Sequence, residues 1–236
     1  IIKRKSNGGC TESYNDGIKY ALDKNEVDAI MLIGNDMKLL GGGIAQLYSF
    51  LYSKAEYGMV APIILKKDST IIEDFGCEVS NYNYMIPYDL GKDVSEISRK
   101  HRSVASVVGG MNLAKRSFYE KVGLQDEKLF MYSDEVDMAI RTNKSGLKMA
   151  VTSDVKAWHQ HINMPGNGRS YIVYFLINRN KVYLARKHFG RLKAIKIFLY
   201  QLVKAFFGFK RGVNKNEILM FYYILKGNLF GYCSIM

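Results

Sequence analysis

The chain has 236 residues, 48% of them hydrophobic and 24% charged, which is enough for one sizeable core and too apolar for a disordered polymer. Its three prolines exclude a proline-rich linker. Its three cysteines (Cys10, Cys77, Cys233) form an odd, widely spaced set that argues against a disulfide framework and for a reducing compartment. The net charge of +12 is uneven: Pro165–Met236 carries thirteen Lys and Arg against one acid, Glu217, while the first 164 residues balance 21 basic with 21 acidic side chains.

In chain order, Asn15–Leu22 reads as a helix, and Val27–Ile33 (VDAIMLI) as a short strand buried on both faces. That strand ends at Gly34-Asn35-Asp36, where open α/β sheets place their sites. Three glycines, Gly41 to Gly43, precede an apolar-periodic helix over Ile44–Ser53. Tyr57–Leu65 and Thr70–Glu78 read as strands joined by a turn at Lys66-Lys67-Asp68, and Asn81–Arg102 as a patternless surface excursion. Ser103–Val108 resumes strand character, and Ala114–Val122 reads as a short helix. Ser133 reads as the N-cap of a helix reaching about Asn143, Leu147–Trp158 as a further strand, and helices follow from Ser170, broken at Gly190, Gly208 and Gly212. Strand and helix alternation of this kind predicts an α/β sandwich with some parallel sheet. No run of apolar residues is long enough to span a bilayer.

Four constellations carry candidate chemistry. Asp36 at a strand end can hold a divalent cation and through it phosphate oxygens, although Gly-Asn-Asp is equally a turn. In Asp134-Glu135-Val136-Asp137, either of the first two acids can serve as a general base or simply stabilise the positive end of the helix. Asp137 and Arg141 are spaced to pair on one helix face. His159 and His161 fall on the same side of an extended segment beside the only tryptophan, Trp158. One imidazole can join Asp36 on a metal or simply serve as a structural hydrogen-bonding group at the strand end, and the indole can stack on a sugar ring. The glycine-rich start, Ser6-Asn7-Gly8-Gly9 with Ser13 to Ile18 after it, lets backbone approach a phosphate or sugar but lacks both the Walker and the GxGxxG spacing.

In this order and spacing the elements NGG…YNDGI, IMLIGNDM, GMVAP, VVGGMNLAKRS, GLQDEKLFMYSDEVDMAIR, AWHQH and YFLINRN make the chain resemble the family 2 glycosyltransferases of the GT-A fold. Rhamnosyltransferase-like and galactofuranosyltransferase-like members are the nearest in kind, and the resemblance runs from about Asn7 to Asn180. It implies a Rossmann-like nucleotide-diphospho-sugar transferase domain over 1–165, with a basic, helical region over 166–236. The implied activity is inverting transfer of a sugar from a UDP- or dTDP-sugar to a hydroxyl of a glycan or lipid-linked acceptor, in bacterial cell-surface polysaccharide synthesis. Glu135 matches the usual catalytic base, with Asp134 beside it as the alternative. Asp36, with His159 or His161, matches the site for Mn²⁺ or Mg²⁺. Asn7, Gly8, Gly9, Asn15, Asn35, Asp36, Gly110 and Met111 match donor-binding positions, and Trp158, Asp137 and Arg141 fall on the acceptor side.

Arg179-Asn180 matches a family signature without an assigned role. Two departures stand out. Gly34 occupies a position where the family usually has Asp or Asn. The family's opening strand, helix, strand unit, which binds nucleobase and ribose, lies before this chain, so the domain is expected to be N-terminally incomplete. That leaves a catalytically incompetent fragment, retaining acceptor or membrane binding, as the alternative reading. The segment Lys193–Phe209 interleaves lysines with aliphatic and aromatic residues, as either an amphipathic helix on an anionic membrane face or a packing helix with a solvated basic side would. The lipid-linked acceptors common in the family favour the first, at the cytoplasmic inner face of the plasma membrane. Being aliphatic and aromatic rather than Arg-rich, the segment argues against a nucleic-acid partner.

Overall fold

The computed structural model describes residues 2–107, 109–160, 170–208 and 215–233, which fall into two units. The first comprises Ile1–Ser80, Tyr84–Phe130 and Asp134–Met164, and the second Asn81–Asn83, Met131–Ser133 and Pro165–Met236.

The first unit is built on a mixed sheet whose principal path runs β1 (Ala29–Ile33), β8 (Met111–Lys115), β3 (Tyr57–Lys66), β9 (Lys148–His159) and β2 (Met37–Leu39). Among the described residues only β3 and β9 pair in parallel, and every other pairing of this sheet is antiparallel. β4 (Ile72–Asp74) adds to β3 and β7 (His101–Val104) to β9, while β5 (Cys77–Val79) and β6 (Met85–Pro87) form a separate ribbon. The central strand β3 is buried from Tyr57 through Leu65 because it has neighbours on both edges and layers on both faces. Its Pro62 has no N–H for the ladder. There the register with β9 jumps, Pro62 facing Thr152 and Ile63 facing Lys156, so Ser153–Val155 bulge out of pairing.

One face of the sheet packs against α1 (Gly9–Leu22), α3 (Arg116–Val122) and α4 (Asp134–Ser145) through Ile18, Phe118, Tyr119 and Met138. The other packs against α2 (Gly43–Tyr52) through Leu47 and Leu51. That is the two-faced sandwich the alternation predicts. β1 is less enclosed than its apolar run suggests. Ile30 and Leu32 are buried, Ala29 and Met31 are partly covered by α2, and Ile33 is 48% exposed, because β1 pairs only with β8 among the described residues.

Three further expectations change. Thr70–Glu78 is two strands, since Gly76 takes a left-handed φ of +78° between β4 and β5. Ala114 and Lys115 end a strand rather than start a helix, because the apolar stretch from Met111 is the pairing partner of both β1 and β3. The excursion over Asn81–Arg102 holds β6, a 3₁₀ turn over Val94–Glu96 closed by an Asp93 capping box, and the start of β7.

Among its described residues the second unit has three long helices, α5 (Tyr171–Phe189), α6 (Arg191–Gly208) and α7 (Lys215–Cys233). Ser170 caps α5, its Oγ accepting from Ile172 N, and Gly190 ends it with a left-handed φ of +88°. α5 and α7 approach closely where α7 presents Gly227 and Gly231. A Cβ on either would lie 2.4 Å from Phe175 O or 2.2 Å from Arg179 O. Among the described residues, no helix is long and apolar enough to cross a membrane.

Candidate active site

Two groups of titratable side chains converge in the first unit. The first sits past the end of β1. Gly34 N donates to Gly110 O at 2.6 Å, Met37 N returns to Gly34 O at 3.1 Å, and the turn between them presents Asn35 and Asp36. A Cβ at position 34 would come within 2.9 Å of Asp36 Oδ1, so glycine here leaves the space into which the Asp36 carboxylate folds. Gln160 N donates to Asp36 O at 2.7 Å, which ties the turn to the end of β9.

His159, the last residue of β9, bridges two carboxylates: its Nε2 lies 3.3 Å from Asp36 Oδ2 and its Nδ1 2.6 Å from Glu73 Oε1 on β4. Burial works against the imidazolium, but these two carboxylates outweigh it and raise the histidine above its ordinary pKa. Asn35, Asp36 and Trp158 line one cleft of about 460 Å³ with Lys38, Asp68 and Gln160, and Lys38 Nζ sits 5.8 Å above the indole. His161 lies outside the described residues.

Among the described residues no cluster of three or more His, Cys, Asp or Glu could hold a metal ion. Asp36 and His159 do offer a hard oxygen and an imidazole nitrogen on the wall of an open polar cleft. Two such donors suit a hard divalent cation whose remaining ligands come from outside the chain.

The second group is the acid pair that opens α4. Asp134 is buried and Glu135 half-buried, and both border a small cavity with Gly109, Asn112, Tyr119 and Gln125. Gly109 admits the Glu135 carboxyl, for a Cβ there would lie 2.7 Å from Oε1. Burial and then the charge of Asp134 push Glu135 up to about 8, and burial likewise raises Asp134. The same field reaches α1: burial, then Cys10 and the two acids, lift Tyr14 to about 12, and burial followed by the acids raises Cys10. Asp74 on β4 adds negative charge near Glu135, and its own carboxyl accepts from Gly76 N at 2.8 Å.

The remaining candidates serve visible bonds within the chain. Asn7 Oδ1 accepts from Gly9 N at 2.9 Å, and Gly9, at φ +75°, fits against Phe130 O, which a Cβ would approach to 2.0 Å. Gly8 lies against the Glu12 carboxylate. Asn15 is buried. Its Nδ2 donates to Gln125 O and Glu127 Oε1, and its Oδ1 accepts from Gln125 N, joining α1 to the loop ahead of α4. Asp137, fully buried, pairs with Arg141 as the spacing predicts (Nη2–Oδ2 2.7 Å), and Arg141 also donates to Val122 O at 2.6 Å. Met111 is fully buried with Ile64 and Ala157, and Gly110 faces the Met37 side chain.

Sequence reasoning missed Glu73. Its signal was present: Glu73-Asp74 is an acid pair inside a strand-patterned segment, between Ile72 and Phe75, both of which the fold buries completely. Successive strand residues face opposite ways, and here Glu73 meets His159 while Asp74 joins the field at Glu135.

No family model matches the chain. Among curated proteins it is 22% identical over 194 residues to the low-salt glycan biosynthesis hexosyltransferase Agl10 of Haloferax volcanii, a match covering 80% of this chain and 61% of that protein. Among solved structures, the crystal structure of GalNAc-T7 with UDP, GalNAc and Mn²⁺ matches 100% of this chain and 44% of its own, with a TM-score of 0.62 and 12% identity. The chain thus spans less than two thirds of the length of either matched protein. The architecture is the Rossmann-like GT-A α/β fold, the class to which the GalNAc-T7 match assigns it.

Proposed function

We propose that the chain is the catalytic body of a metal-dependent, inverting glycosyltransferase acting on a UDP- or dTDP-sugar. The observation that carries this is one GT-A framework holding both an Asp36–His159 pair at the end of β1 and an acid pair with a raised carboxyl at the start of α4. The Agl10 match, to a protein named a hexosyltransferase, supports transfer of a hexose.

In this reading Asn35 and Asp36 receive the donor diphosphate, with Asn7 towards the nucleotide and Gly110 towards the sugar, while the buried Gly8, Gly9, Asn15 and Met111 support the backbone behind them. Glu73 orients His159 through Nδ1, leaving Nε2 to face Asp36 and a bound cation. A bound Mn²⁺ or Mg²⁺ offsets charge developing on the departing diphosphate. Glu135, once ionised, takes the proton of an acceptor hydroxyl as that oxygen bonds to the anomeric carbon. The bond from that carbon to the diphosphate oxygen breaks on the opposite face, inverting the configuration. A base pushed up to about 8 is strong enough for an alcohol, and transfer is expected to rise as pH approaches that value. Trp158 offers an apolar face to a sugar ring, and Asp137 with Arg141 stiffens the acceptor side of α4. The product is assigned to a bacterial surface polysaccharide, built on a glycan or lipid-linked acceptor at the inner face of the plasma membrane.

The test is calorimetric titration of UDP and dTDP into the chain, with and without Mn²⁺. Mn²⁺-dependent binding is expected, weakened about tenfold or more by Asp36→Ala. Equal affinity in that variant removes Asp36 from the site. Absence of binding by folded wild-type chain replaces the reading with a non-catalytic body that keeps acceptor or membrane binding.

A further inference from the structure

The chain reaches the acid pair through an unusual backbone. Phe130, Tyr132 and Ser133 all take left-handed φ angles, of 63°, 69° and 63°. For side chains other than glycine each such angle costs about 1 kcal/mol or more, and three within four residues persist only where other bonds hold them. The bonds come from α5. The fully buried Asn180 donates from Nδ2 to Met131 O at 2.9 Å and to Tyr132 O at 2.7 Å, and Arg179 Nε donates to Asn180 Oδ1 at 2.8 Å. The Arg179 bond settles which end of the amide faces the two carbonyls. Both carbonyls and both side chains belong to the second unit; the next peptide bond leads to Asp134 and Glu135.

We propose that Asn180 is a positioning residue for the acid pair: its two N–H bonds clamp the left-handed turn at Met131–Ser133, and the turn fixes how Asp134 and Glu135 enter α4. The proposal rests on the reading of that pair as the catalytic one, and it gives the Arg179-Asn180 signature a role. Relaxing the clamp lets the Glu135 carboxyl leave its packed place against Gly109, where it faces Asp134 on its own helix, Asp74 and Cys77 on β4 and β5, and Cys10 and Tyr14 on α1.

The experiment is ¹³C NMR titration of side-chain carboxyls in the full chain, without substrate, the Glu135 resonance assigned by its loss in Glu135→Gln. Wild type is expected to titrate near 8. Asn180→Ala should lower the midpoint by roughly one unit or more as the carboxyl regains water. Adding Tyr132→Gly, which removes the side-chain cost of the left-handed angle, should restore part of the shift. Should Asn180→Ala fail to fold, Arg179→Met, which removes the bond orienting the amide together with the guanidinium's contact over Phe175, should move the midpoint the same way by less. An unshifted midpoint in a folded variant, even with a lower Tm, overturns the clamp. Transfer by Glu135→Gln is measured separately. Its loss alongside an unshifted Asn180→Ala midpoint sinks the clamp alone, and its retention alongside a shifted midpoint sinks the catalytic assignment alone.

Discussion

At the residue scale, Glu135 links activity to stability. Its folded pKa is raised to about 8 by burial and by Asp134, whereas an unfolded chain would titrate it near the ordinary value of about 4.3. Between those values the folded state keeps a proton that the unfolded state gives up. The stabilising contribution is therefore complete below the ordinary range and is lost as pH rises towards 8. Glu135→Gln removes that loss. Urea unfolding should show the variant about 1–2 kcal/mol more stable than wild type at pH 8.5 and close to it at pH 4.5, a figure reduced because the carboxyl keeps some contact with water. An identical difference at both pH values would separate Glu135 from any proton linkage. The same variant is expected to lose transfer by about a hundredfold or more in a donor-consumption assay. The pairing of Asp137 with Arg141 was readable from the sequence because helix geometry is local. The partnership of His159 with Glu73, 86 positions away, was not, because only sheet order sets β4 and the end of β9 on the two edges of β3.

At the element scale, the helices of the second unit depend on small and polar residues that the hydrophobic pattern does not register. Gly227 and Gly231 stand four apart on α7 and meet Phe175 and Arg179, four apart on α5, so one face of each helix carries the close approach. Gly231→Ala should push a methyl into Arg179 O and cost about 2–3 kcal/mol, read as a fall in Tm; an unchanged Tm would mean that the helices do not pack this tightly. Between α6 and α7 the buried amides of Gln201 and Asn228 bond to each other at 2.7 Å, a pairing that fixes register at the cost of apolar packing. Of the glycines read as breaks, Gly190 ends α5 and Gly208 ends α6, while Gly212 falls outside the described residues. The division of Thr70–Glu78 into two strands escaped a pattern reading because Gly76 interrupts the backbone without interrupting the run of strand-forming residues.

At the scale of the whole molecule, charge and apolar exposure coincide. The thirteen cations of Pro165–Met236 meet a single acid. On α6, Ala194, Ile197 and Gln201 turn inward, while Leu192, Leu199, Val203 and Phe206 remain more than half exposed along a helix that also bears Lys196 and Lys204. We infer that this face lies on an anionic bilayer. The chain should co-sediment with phosphatidylglycerol vesicles and not with phosphatidylcholine ones, and salt should weaken the binding without abolishing it. Leu199→Ser with Phe206→Ser should reduce it about tenfold. Equal binding to both vesicle types would remove the electrostatic part of this reading.

The sequence by itself determined the alternation of strands and helices, the placing of Asp36 at a strand end and the acid pair at a helix start, and the basic amphipathic character of α6. Those properties depend on residues a few positions apart, whose spacing matches the period of a strand or helix. Only the tertiary structure decided that His159 bridges Asp36 to Glu73, that Gly34 makes room for the carboxylate, and that Asn180 holds the turn before Glu135. Each joins segments or close approaches that no local period encodes, because the partners are chosen by sheet order and helix packing.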